Sequence, residues 1–291
     1  MIKTKRKSVI NIFYIPAILL FLFFIIYPFM EGIRISFTNW NGYSQNYKYV
    51  GLDNYRKLLH DGKILVALKN TLIYGVGSTI LQNILGLAYA IFLNTKIKGR
   101  KLVRTIVYAP VMISGVVMGY IMYFLVQYDG GAINDILLAL GRTPVDWLNN
   151  GNRAVIIITI INTIQYVGTS MVIYLAGLQN ISTQYYEAAA IDGVSGWQQF
   201  KYITVPLLTP AISSSITLNL IGGLKLFDVI QALTSGGPGF SSHSLSTLDA
   251  NKYFSAANAG YSATIGLFSF VLIMILSNIV TSYFNKKEVY M

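Results

Sequence analysis

An all-α, polytopic membrane fold with six transmembrane helices is what this sequence predicts, and the segregation of its charge is the main reason. Of 291 residues, 54% are hydrophobic and 11% charged, against roughly a quarter charged in soluble domains. Windows 9–29, 71–94, 105–127, 154–178 and 262–285 contain no Asp, Glu, Lys, Arg or His. Each is long enough for the ~20 residues that a bilayer-crossing helix needs. A sixth apolar segment, about 208–234, is interrupted only by Lys225 and Asp228. Orientation follows from the basic loops, which mark the cytoplasmic side. Lys3, Lys5, Arg6 and Lys7 precede span one, Lys96, Lys98, Arg100, Lys101 and Arg104 follow span two, and Lys286 and Lys287 follow span six. Both termini are then inside. Twelve basic and three acidic residues fall on that side, nine and seven on the other, so the bias has the expected sign.

Taken in order, residues 1–8 form a basic cytoplasmic start, 9–285 a transmembrane domain and 286–291 a cytoplasmic end. Span one is expected to stay in the mature chain, because its apolar run is too long for a signal peptide and no small-residue cleavage site ends it. The outer segment 31–69 holds Trp40-Asn-Gly42 and Gly51-Leu-Asp-Asn-Tyr55, whose Gly, Asn and Asp read as turns. Spans two and three are joined by the basic hairpin. The second outer segment, 128–153, predicts a short amphipathic helix over 133–140 on the membrane surface, then Pro144-Val-Asp-Trp147, with Trp147 suited to the interface. Span four ends near Leu178.

Residues 182–202 interrupt the apolar pattern with small and polar side chains. Ser182 or Thr183 can cap a helix through Glu187-Ala-Ala-Ala190, and Gly193 ends it. Ser195 with Gln198 matches a capping box, so a second short helix follows. Pro206 and Pro210 then kink the chain as it re-enters the membrane. One reading is a loop lying on the inner membrane surface. Such a helix favours Lys and Arg on its polar face, whereas this one carries Glu187 and Asp192 and no cation until Lys201. The other reading is a smooth, narrow alanine helix that enters a groove on a partner, with Glu187 pairing a cation at the lip.

The run Glu187-Ala188-Ala189, then Asp192-Gly193, then Ile203-Thr-Val-Pro206, resembles the EAA signature of permease subunits of binding-protein-dependent ABC importers. Leu233-Thr-Ser-Gly236-Gly237-Pro238, Tyr253-Phe254, Gly260-Tyr261, Pro144-Val-Asp-Trp147-Leu148 and Gly51-Leu-Asp-Asn-Tyr55 resemble its carbohydrate-uptake branch, of the maltose and glycerol-phosphate type. The likeness runs from about residue 10 to 285. It implies a type I importer permease fold and an inner-membrane location. It also implies a second, similar permease, two cytoplasmic ATPase subunits, an extracytoplasmic solute-binding protein and a carbohydrate substrate as partners. On that resemblance Glu187, Ala188, Ala189, Asp192 and Gly193 form the coupling helix seated in the ATPase. ATP and Mg belong to that partner, and this chain carries no cofactor. Val194 stands where the branch often has a small Ala, which alters packing there.

Polar residues inside spans are the candidates for a substrate path. Lys225 and Asp228, three apart, sit on one face if the helix is continuous. They either pair with each other, line the path, or meet the binding protein near the outer end. Asn162, Gln165 and Tyr166 supply donors, acceptors and an apolar ring face, which is what a sugar needs; in membranes such residues also hold helices together. Asn219 has the same two readings. His60 and His243 read as solvated surface residues, and Gly75 and Gly77 as sites of close helix packing.

Several chemistries are excluded or disfavoured. There is no cysteine, hence no disulfide, thiol nucleophile or thiolate metal site, and neither histidine has ligand spacing to a carboxylate. No phosphate-binding Walker sequence occurs, so ATP hydrolysis is not expected in this chain. The net charge of +11 reports orientation and not nucleic acid. An ion-coupled secondary transporter is the rival reading, with Asp228 as its acidic residue, although such folds show internal repeats that are not seen here. An intramembrane enzyme would need a convergent catalytic set, and one Lys–Asp pair is a poor one.

Overall fold

The computed structural model describes residues 14–95 and 98–286. The basic start 1–8, Lys96 and Lys287 lie outside the described residues. Among those described the chain is helical, with a single antiparallel bridge between Thr38 and Tyr49.

Helix α1, Tyr14–Ser36, is followed by the bridge and by α2, Asp53–His60. The turn expected around Gly51 is present, with φ of 56°, but it delivers the chain into a helix and not a longer loop. Span two is α3, Gly62–Asn94. Span three departs from the single helix that its charge-free window predicts. It is built as α4, Arg100–Met112, and α5, Gly115–Val126, bent by 103°. Pro110 explains the break: without an N–H it cannot continue the ladder, the chain tightens into a 3-10 turn over Ala109–Met112, and Ser114 restarts the helix by accepting from the Val117 N–H at 3.4 Å.

Helix α6, Ala132–Ala139, is the short helix expected over 133–140. Its Asn134 is 1% exposed and accepts from Trp147 Nε1 at 3.0 Å. Helix α7, Gly151–Asn180, is span four. The insert gives α8, Thr183–Ile191, and α9, Gly196–Leu207. A 67° bend between Pro206 and Pro210 leads into α10, Thr209–Leu224, as the prolines predict. Three residues later α11, Asp228–Leu233, begins; α12 is Leu245–Ala250 and α13 is Ala259–Asn285. Six spans therefore resolve into four long apolar helices and two bent pairs.

The chain divides into two compact units. The first holds residues up to Asp61 together with Asp249–Ser269. There Asn54 donates to the carbonyls of Ser36 and Thr38, both at 2.8 Å. The Tyr261 hydroxyl reaches Asp61 Oδ2 at 2.9 Å. Asp249 accepts from Ser262 Oγ, and burial pushes its carboxyl above the usual carboxylate range. The large apolar side chains of α1 are exposed from Tyr14 to Tyr27 and at Met30, the pattern of a helix whose surface meets lipid or another chain.

The second unit holds Gly62–Leu248 and the chain from Phe270. Its axis is the pair α3 and α7. One apolar cluster gathers Tyr74, Met118, Ile158, Val229 and Ile230, and another gathers Ala90, Met171, Tyr174, Leu175 and Leu208. Between them runs a buried polar belt: Ser78, Gln82 and Asn83 of α3, Asn162, Gln165 and Ser170 of α7, and Ser215 and Asn219 of α10. Buried polar groups are costly unless hydrogen-bonded, and each of these side chains makes at least one hydrogen bond. The Oε1 atoms of Gln82 and Gln165 alone are left without a partner among the buried side-chain polar atoms of the described residues. Asn162 Nδ2 donates to Ser78 Oγ at 2.9 Å, Asn219 Nδ2 to Ser170 Oγ at 2.6 Å, and the Tyr174 hydroxyl to Asn83 Oδ1 at 2.6 Å. Gly75 lies where α3 meets α10; a Cβ there would fall 2.5 Å from Leu224 Cδ2, so the packing expected of this glycine is present.

Candidate functional site: a polar cavity and a capped insert

The polar belt opens onto a cavity of about 360 Å³. Both broken spans meet there. Val111 and Gly115 come from either side of the α4–α5 break, and Lys225, Leu226 and Phe227 are the break between α10 and α11. In a bilayer, non-helical backbone is tolerated only where it is buried in protein or lines a cavity, and these two breaks obey that rule.

Of the residues singled out from sequence, Asn162, Tyr166, Asn219, Lys225 and Asp228 line this cavity. Gln165 does not. It is fully buried and donates through Nε2 to the Ile113 carbonyl at 3.0 Å. That carbonyl is left without a helical partner by the α4–α5 break, so Gln165 repairs a backbone defect one turn from the wall.

Lys225 and Asp228 do not share a helix face. Lys225 caps the end of α10 and Asp228 is the first residue of α11, so the spacing argument for a mutual pair fails, and they form no ion pair with each other. Asp228 instead packs against Gly115, the first residue of α5; a Cβ there would fall 2.8 Å from Asp228 Cβ. A carboxylate beside a helix N-terminus is favoured by the unpaired N–H groups there. One cation, one carboxylate, three amides (Gln82, Asn162 and Asn219) and the Tyr166 and Phe227 rings thus face a common space. Sequence reasoning missed Gln82, Thr169 and Phe227 on the wall. For Gln82 a signal existed, since Gln82-Asn83 is a polar pair inside a charge-free window.

The insert matches its sequence reading closely. Ser182 caps α8 by accepting from Gln184 N–H at 3.4 Å. Gly193, at φ of 69°, reverses the chain, and Val194 N–H returns to the Ala189 carbonyl at 3.0 Å. Ser195 and Gln198 form the capping box. Tyr186 and Thr204 hydroxyls, 3.0 Å apart, fasten α8 to α9. Ala189 is buried under this pair, whereas Glu187, Ala188 and Asp192 are exposed. Glu187 has no ion-pair partner among the described residues. Tyr185, Ala188, Asp192 and Val194 border a surface hollow of about 450 Å³, and Ile191 and Trp197 are 87% and 71% exposed.

The segment that follows Gly236-Gly237-Pro238 is hydrogen-bonded to α3. Asn70 of α3 donates to the carbonyls of Ser241 and His243 at 2.7 and 3.0 Å, and the Tyr74 hydroxyl to that of Ser242 at 2.8 Å. Lys63 Nζ lies 3.8 Å from the centre of the Phe240 ring. His243 is not the solvated residue expected: it is 4% exposed, covers Gly236 so closely that a Cβ would meet its ring, and pairs through Nδ1 with Thr247 Oγ1 at 3.0 Å. His60 is exposed. Among the described residues no group of three His, Cys, Asp or Glu could hold a metal ion.

Known proteins share this sequence and this architecture. The pattern of the binding-protein-dependent transport system inner membrane component matches residues 82–289. The multiple sugar-binding transport system permease protein MsmF of Streptococcus mutans is 35% identical over 275 residues, covering 94% of each chain. The trehalose/maltose transport system permease protein MalF of Thermococcus litoralis is 33% identical over 273 residues, covering 94% of this chain and 92% of its own. Among solved structures, a chain of a bacterial ABC transporter involved in import of the acidic polysaccharide alginate superposes with a TM-score of 0.85 at 25% identity, covering 98% of this chain and 97% of that one. The same transporter type has been crystallised with an alginate pentasaccharide-bound periplasmic protein, with a TM-score of 0.82. By sequence over most of its length, and with the all-α fold of a type I ABC importer permease, this chain belongs to the binding-protein-dependent transport system inner membrane component family and is a transport subunit, not an enzyme.

Proposed function

We propose that this chain forms half of the translocation pathway of an ATP-driven carbohydrate importer of a bacterial cytoplasmic membrane. It would be paired with a second permease, two ATPase subunits and an extracytoplasmic binding protein. The observation that carries the reading is the cavity at the two broken spans. Amides, one cation, one carboxylate and two aromatic rings give hydroxyl partners and an apolar face together, and the relatives' names supply the sugar. A phosphorylated substrate would call for more than the single cation Lys225. In this reading α8 and α9 carry the coupling: ATP-driven closure of the ATPase pair draws the inserts together and exposes the cavity outward, and hydrolysis returns it inward. The chain supplies contacts that differ between two global states, which any such switch requires.

The test is to co-express this chain with its genomic neighbours and purify it with Glu187 intact and as Glu187→Lys. An ATPase should co-purify with the wild-type chain, and binding-protein-stimulated hydrolysis should fall about tenfold or more in the variant, the loss expected when a charge pair at a lip becomes a repulsion. Uptake of maltose, trehalose or lactose into liposomes should need ATP. Uptake driven by an ion gradient with no ATPase bound would instead favour the secondary-transporter reading and direct attention to Asp228.

A further inference from the structure

We infer that Gln82 is a substrate-reading residue of this pathway: its side-chain carbonyl accepts a hydrogen bond from one hydroxyl of the transported sugar. The inference rests on the proposed importer function and adds to it a residue that sequence reasoning did not select. Gln82 is 1% exposed, and it is the single residue of α3 on the cavity wall. Its Nε2 donates to the Asn162 carbonyl at 2.9 Å. That bond fixes the amide, because the reverse orientation would set two carbonyl oxygens against each other. Oε1 is then directed away from Asn162, is buried, and has no hydrogen-bond partner.

A buried acceptor without a partner is a standing cost that most folded proteins avoid. Gln165 Oε1 is similarly unpartnered, but its residue is off the cavity wall, so no substrate group can reach it. Gln82 differs in having a roomy polar cavity beside it, whose other members, Asn162, Asn219, Lys225 and Asp228, already present donors and acceptors. A sugar hydroxyl is a donor, and it offers what Oε1 lacks once the part of the wall that covers Oε1 in this state moves aside during transport. A site that leaves a polar group unpaired when the wrong molecule is bound discriminates by that penalty. Gln82 therefore selects for a hydroxyl at one position of the ring and against an analogue without it.

The assembled importer in liposomes, with ATP and binding protein at saturation, provides the test. Maltose, trehalose and lactose are offered first, and single-position deoxy analogues are then made of whichever is carried. Gln82→Met keeps length and apolar bulk but removes both amide groups; Gln82→Glu keeps an acceptor. The Met variant should carry the parent sugar about fivefold more slowly, the loss of one neutral hydrogen bond. One deoxy analogue should be carried equally by the wild-type and Met proteins, because its partner hydroxyl is already gone, and the Glu variant should still discriminate against that analogue. Uniform slowing of every analogue by Gln82→Met, or no slowing, overturns the inference and leaves the importer reading intact. If the wild-type assembly carries none of the sugars, the importer reading fails and this assignment falls with it.

Discussion

Asn134 uses both ends of its amide to hold an irregular stretch together. Nδ2 donates to the carbonyls of Gln127, Tyr128 and Val145, and Oδ1 accepts from Val145 N–H and Trp147 Nε1. Asn134→Ala would leave these groups to find water or none, at a cost of about 3 kcal/mol. The expected outcome is a lowered melting temperature and, with Trp40 and Trp197 changed to Phe, a red-shifted Trp147 emission as the indole gains water. An unchanged melting curve and spectrum would show that the loop is held by something else. Nothing in the sequence marks Asn134, because all its partners except the Trp147 indole are backbone groups, spread over about twenty residues. The same blindness separates Gln82 from Gln165. Both are amides with polar neighbours in charge-free windows, and only the fold puts one on a cavity wall and the other under a broken helix. His243 misleads for a related reason: an outer loop is read as solvated, yet Asn70 and Tyr74 fold this one inward over the histidine.

At the scale of elements, five charge-free windows and the 208–234 run with its two charges located the apolar segments, and the caps of α8 and α9 were readable because Ser182, Gly193, Ser195 and Gln198 act on neighbours within a few residues. The breaks within spans three and five were harder to read. Pro110 followed by Ser114 was a usable signal for the first, a missing N–H and then a capping hydroxyl. The Lys225–Phe227 break has no proline and depends on α11 packing against α5, where Gly119 admits Ala232. Hence the mutual-pair alternative for Lys225 and Asp228 failed together with the continuous helix it assumed. The hinge at Gly193 permits a cleaner test. A Cβ there meets nothing within 4 Å, so Gly193→Val acts only through backbone strain, about 1–2 kcal/mol for a left-handed residue. The complex should still assemble, while ATP consumed per sugar imported should rise severalfold. A coupling ratio equal to wild type would mean that the α8–α9 angle does not transmit the stroke.

At the scale of the whole chain, the six-span path with both ends inside rests on charge, which is a statistical rule and not a contact. Of the basic residues it rests on, Lys3, Lys5, Arg6, Lys7, Lys96 and Lys287 fall outside the described residues. The absence of cysteine makes the rule testable without background. Cysteines placed singly at Ala188, in the exposed insert, and at Gly239, in the outer loop where a Cβ meets nothing within 4 Å, report the two sides. In intact cells a membrane-impermeant maleimide should modify the cysteine at 239 and spare the one at 188; in inside-out vesicles the pattern should reverse. Labelling of position 188 from outside would invert the topology. It would also remove the insert from the compartment that holds ATP, so the coupling role of Glu187 depends on this result as much as on any contact it makes.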